Sequence, residues 1–100
     1  MSGSAILMTM MRVVVSARGR VQGVGYRYFV TDCAREAGVS GFVRNEPDGS
    51  VLIVAEGGDE EITFFVKKVK AENDPFIRVD TLDVKKHDPT GEFSGFAIRW

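Results

Sequence analysis

The chain has 100 residues, 44% hydrophobic and 27% charged, with a formal net charge of −1. That is enough for one domain with one core, excludes intrinsic disorder, and leaves no broad basic surface for nucleic acid. One cysteine, Cys33, and one histidine, His87, exclude an intrachain disulfide and a cysteine-pair metal site; a Ser-His-Asp triad would have to be built on His87.

Residues 1–11 lack a cationic segment before their apolar residues, and Ala5–Met11 is too short to span a membrane. They read as a flexible N-terminal extension, with the domain at residues 12–100, no membrane partner and a cytoplasmic setting. Arg12–Arg18 is β-branched and apolar, and Val13-Val14-Val15 predicts a strand partly covered on both faces. A glycine-rich turn follows. Phe29, Val30, Cys33, Ala34 and Ala37 then form the apolar stripe of a helix over 27–37, which Gly38 ends. Gly41–Glu46 and Ser50–Glu56 predict a hairpin around Pro47-Asp48-Gly49. Gly57-Gly58 is expected to break the chain. A second helix is predicted over 59–71, with Ile62, Phe65, Val66 and Val69 on one face and end charges that suit the helix dipole. Ile77–Lys86 reads as a strand with a bulge between Val79 and Leu82, and Phe93–Trp100 as a last strand. The order predicts an α+β, ferredoxin-like β-α-β-β-α-β sandwich, an antiparallel sheet with two helices on one face.

The turn between the first strand and first helix, GRVQGVGYR at 19–27, is neither a Walker A loop nor a dinucleotide fingerprint. Its physics still points to an anion. Glycines let successive N–H groups converge, and a helix N-terminus adds free N–H groups and a favourable dipole. Arg27 falls in the first helical turn, where a cation opposes the dipole at a cost of about 0.3–1 kcal/mol unless an anion lies nearby. A tight turn with a solvated arginine is the plainer alternative.

Gly19-Arg20-Val21-Gln22-Gly23-Val24-Gly25-Tyr26-Arg27 closely resembles the acylphosphatase signature G-x-V-Q-G-V-x-[FY]-R. Gly41-Phe42-Val43-Arg44-Asn45, followed by Asp48-Gly49, resembles that family's second motif, and the closing Gly95-Phe96-Ala97-Ile98-Arg99-Trp100 adds to the likeness. The resemblance covers residues 12–100. It implies an enzyme that cleaves small acyl phosphates to carboxylate and inorganic phosphate. The backbone N–H groups of Gln22, Gly23, Val24, Gly25, Tyr26 and Arg27 would bind the phosphoryl oxygens, the Arg27 side chain would clamp them, and Asn45 would orient the attacking water. It further implies no cofactor, no metal, no covalent intermediate and a monomer. Gly25 stands at the variable position. Tyr26, where phenylalanine is commoner, is expected to add a hydroxyl near the site.

Such chemistry needs no strong general acid, since a carboxylate leaves readily, and a neutral asparagine does not repel a dianion. The alternative is a non-catalytic phosphate- or acyl-phosphate-binding domain, or a carbamoyl-transfer accessory domain, of the same fold. Elsewhere, Cys33 reads as core, His87 as a solvated turn residue, Arg44 as facing away from Asn45, and Trp100 as a packing residue at a strand end.

Overall fold

The computed structural model describes residues 9–100. The extension predicted over residues 1–11 therefore falls largely outside the described residues, but Met10 and Met11 already belong to the first strand. Seven elements follow in order: β1 (Met10–Arg20), α1 (Tyr26–Ala37), β2 (Ser40–Asn45), β3 (Val51–Gly58), α2 (Asp59–Lys68), β4 (Arg78–His87) and β5 (Phe96–Arg99). The strands form one sheet in the order β4-β1-β3-β2-β5.

Alternation along the strands decides the layers. Val13, Val15 and Ala17 of β1, Val51, Ile53 and Ala55 of β3, and Val43 of β2 all point to one face. There they share a core with Val30 and Ala34 of α1 and Ile62 and Phe65 of α2. This is the predicted α+β, ferredoxin-like sandwich with two helices on one face. The fifth strand corrects the expectation of an antiparallel sheet. β5 pairs with β2 in parallel, so the sheet is mixed rather than wholly antiparallel. The segment after β4 must therefore cross from one edge of the sheet to the other, over the face opposite the helices. Glu56 fastens it there, accepting from the backbone N–H groups of Thr90 and Gly91 and from the Thr90 hydroxyl. Phe93 packs edge-on against Phe42 of that face.

Several boundaries moved for local reasons. Gly57 and Gly58 do not break the chain. They continue β3 opposite Met11 and Met10, and α2 starts at the next residue with Glu61 Oε1 accepting from the Gly58 N–H at 3.0 Å. The second helix ends at Lys68, three residues before the predicted end: Val69 caps it, the Ala71 N–H closes a tight turn on the Lys68 carbonyl, and Ala71 itself is left-handed at φ 51°. The last strand starts at Phe96 rather than Phe93. The bulge expected between Val79 and Leu82 is present: Arg18 pairs with Thr81 and Gly19 with Val79, leaving Asp80 unmatched.

Candidate active site

Three chain segments meet at one end of the sheet: the turn after β1, the start of α1 and the end of β2. Of the three glycines in the turn motif, Gly19 still belongs to β1, so the turn proper is held by two. Gly23 and Gly25 adopt left-handed backbones at φ 74° and φ 82°, which a side chain would strain. Gly25 is also the residue that caps α1, and it offers no side-chain acceptor. The first N–H groups of the helix therefore have no partner inside the helix and face outward at its positive end.

A small pocket of about 80 Å³ opens there, lined by Val21, Gly23 and Gly25 of the turn, by Tyr26, Arg27 and Tyr28 of α1, and by Asn45. The predicted site residues Arg27 and Asn45 are thus brought together with the turn. Gln22 and Val24, also predicted, lie outside this lining. Asn45 sits on the core-facing side of β2, in the row Ala17–Val51–Asn45, so its side chain follows Val43 toward the helices. Its Oδ1 is buried and, among the described residues, makes no hydrogen bond. Orphaning a buried carbonyl oxygen costs about 1–3 kcal/mol, a cost tolerated where a donor such as water or ligand completes the site.

The Gln22 side chain has a role that the sequence did not reveal. Its side-chain Nε2 donates to the carbonyls of Glu46 and Ser50, both at 2.8 Å. The turn after β1 is thereby tied to the β2–β3 hairpin, one residue beyond Asn45. The hairpin is itself closed by Asp48 Oδ1, which accepts from the Ser50 N–H and hydroxyl. Those bonds, with Arg18, hold the Asp48 carboxyl down to about 2.

The chain matches the model of the family described as acylphosphatase over residues 13–98. It is 40% identical over 91 residues to the acylphosphatase of Oceanobacillus iheyensis, covering 91% of this chain and all of that relative. The chain belongs to the acylphosphatase family. The match makes it an enzyme, with acylphosphatase activity in the general sense. Its fold superposes on the crystal structure of acylphosphatase from Bacillus subtilis with a TM-score of 0.84 at 36% identity, covering 90% of this chain and 99% of that one. It also resembles part of HypF from T. kodakarensis, with a TM-score of 0.78 at 31% identity, covering 90% of this chain but 12% of that one.

Several other groups lie away from the pocket. The Tyr26 hydroxyl is not near it: buried in the core, it donates to the Val69 carbonyl at 2.7 Å. Burial, with Cys33 nearby, pushes the Tyr26 phenol up. Cys33 is core, as its place on the helical stripe predicts, and burial raises its thiol to about 11. Arg44 turns to the opposite face of the sheet, where it pairs with Glu46 at 2.8 Å. His87 ends β4 opposite Arg12, at the far end of β1 from the pocket. A larger cavity of about 730 Å³ lies between the helices near Phe29, Cys33 and Phe64, but neither the turn nor Asn45 lines it. Among the described residues, no helix is long and apolar enough to cross a membrane.

Proposed function

We propose that the enzyme hydrolyses the carboxyl–phosphate bond of small acyl phosphates by in-line attack of water. The N–H groups of the turn and of the first turn of α1, with the Arg27 guanidinium, hold the phosphoryl oxygens. Asn45 Oδ1 accepts from the attacking water and aims it at phosphorus. As the water oxygen bonds to phosphorus, the bond from phosphorus to the acyl oxygen breaks and the carboxylate leaves with the electron pair. The water's proton passes to a phosphoryl oxygen, so the products are RCOO⁻ and H₂PO₄⁻. Fixed donors aimed at developing charge are the largest contribution in such sites, each about 10²–10³ in rate.

The observation that carries this reading is the unpartnered Asn45 Oδ1 in the pocket that Arg27 and the turn line. The charge of the phosphoryl group is met by protein donors alone, so the reading needs no metal or other cofactor. All of these groups come from one chain, which suits a monomer. The cytoplasmic setting belongs to the same proposal, as does the absence of nucleic-acid and membrane partners.

The test is hydrolysis of benzoyl phosphate in excess EDTA by wild type, Arg27→Ala and Asn45→Ala. Fast wild-type turnover is expected, with a loss of about 10²–10³ in kcat for each variant while both stay folded. With His87 far from the pocket, the rate should be flat from about pH 6 to 8. Phosphate binding without turnover would instead support the accessory-domain reading, which the likeness to a part of the longer HypF chain favours.

A further inference from the structure

Arg27 carries the phosphoryl clamp, yet among the described residues no carboxylate or carbonyl accepts from its guanidinium. Its close partner is an aromatic ring: the Arg27 Cζ lies 4.2 Å from the centre of the Trp100 indole. Trp100 is 84% exposed, so core packing does not account for its place. The sheet does. The parallel pairing of β5 with β2 reaches Arg44 opposite Arg99, and one more residue along each strand brings Trp100 to the same end as Asn45, beside the start of α1.

We propose that Trp100 is the positioning residue for Arg27. This rests on the hydrolase reading above. An arginine in the first turn of a helix is pushed away by the dipole and has a long, free side chain. A carboxylate could hold it, but would occupy its donors and place negative charge beside a dianionic substrate. The indole face attracts the guanidinium through its quadrupole and accepts no in-plane N–H, so the fork of donors stays open to the phosphoryl oxygens.

The experiment compares wild type, Trp100→Leu and Trp100→Phe. It measures kcat and KM for benzoyl phosphate, competitive inhibition by inorganic phosphate, and the urea midpoint. Trp100→Leu should raise the phosphate inhibition constant and lower kcat/KM for benzoyl phosphate, each about three- to tenfold. Trp100→Phe should recover most of that loss, and the exposed position should leave the urea midpoint where it was. Trp100 is the sole tryptophan, so its emission is a direct reporter. Inorganic phosphate should change it saturably in wild type and leave it unchanged in Arg27→Ala. Leucine and phenylalanine variants that behave alike, whether both intact or both impaired, would overturn the inference. A wild type that turns over no acyl phosphate would sink the hydrolase reading instead. The phosphate titration then still decides: an emission that phosphate does not move overturns the role of Trp100.

Discussion

Gln22 shows how one side chain can join two loops that lie far apart in the chain. Its two bonds to the hairpin carbonyls are additions rather than rescues, because Glu46 O also accepts from the Gly49 N–H and Ser50 O from the Glu46 N–H. Replacing it by leucine therefore leaves no carbonyl stranded, and Gln22→Leu should cost only about 1–2 kcal/mol of stability. Activity should suffer more, because the turn and the Asn45 strand end would no longer be fixed to each other. A fall of about tenfold in kcat/KM is expected, as sub-ångström misplacement of reacting groups is costly. Urea unfolding and benzoyl phosphate kinetics on the same preparation check both parts. Unchanged kinetics in a variant that loses stability would show that the tether is structural only. The glutamine was visible in the motif, but its partners are 24 and 28 residues away, beyond the reach of any local pattern.

Among the elements, β2 carries the tightest constraint. Gly41 has φ 143°, and a Cβ there would overlap the Val54 carbonyl oxygen of β3 and sit 2.8 Å from its carbonyl carbon. The same residue donates its N–H to Gly95 O at 2.9 Å, where the chain enters β5. Gly41→Ala is therefore expected to cost about 3 kcal/mol or more, by strained backbone and forced separation of two central strands. A urea midpoint within error of wild type would contradict this. The helices were the most legible elements. The stripe on α1 and the Ile62/Phe65 face on α2 both face the core, since their period of 3.6 is a property of the local chain. The start of β3's partner was not legible. Glycines at 57 and 58 read as a break until pairing with Met10 and Met11 gave their backbones a ladder to complete.

At the scale of the molecule, Glu56 is the buried carboxylate that closes the fold. It is 4% exposed, pairs with Arg12 at 2.9 Å, and anchors Thr90 and Gly91 as the chain crosses the open face of the sheet. Burial alone would raise its carboxyl. The N–H groups of Thr90 and Gly91, the Arg12 guanidinium and the Thr90 hydroxyl outweigh that and bring it from its ordinary 4.5 to about 2. A depressed carboxylate stabilises the fold fully above its unfolded value. That stabilisation is lost as pH falls from about 4.5 through about 2. Glu56→Gln should thus cost about 1–3 kcal/mol at neutral pH, and the gap from wild type should shrink across that acid window. Chemical denaturation at a series of pH values measures it. A gap that stays constant down to pH 2 would place the effect elsewhere.

Residue order by itself determined the helices, the hairpin at Asp48-Gly49, the bulged fourth strand and the two motifs that point to a phosphoryl site. Each depends on neighbours within a few positions: apolar period, turn chemistry, glycine spacing. Tertiary structure alone decided which strand lies beside which, and with it the surroundings of the site. The parallel docking of β5 on β2 carries Trp100 to Arg27, and the crossing segment buries Glu56. Packing against Val69 draws the Tyr26 hydroxyl into the core and away from the pocket. Those contacts join residues far apart in the chain, whose meeting depends on how the sheet closes and leaves no periodic trace in the order of amino acids.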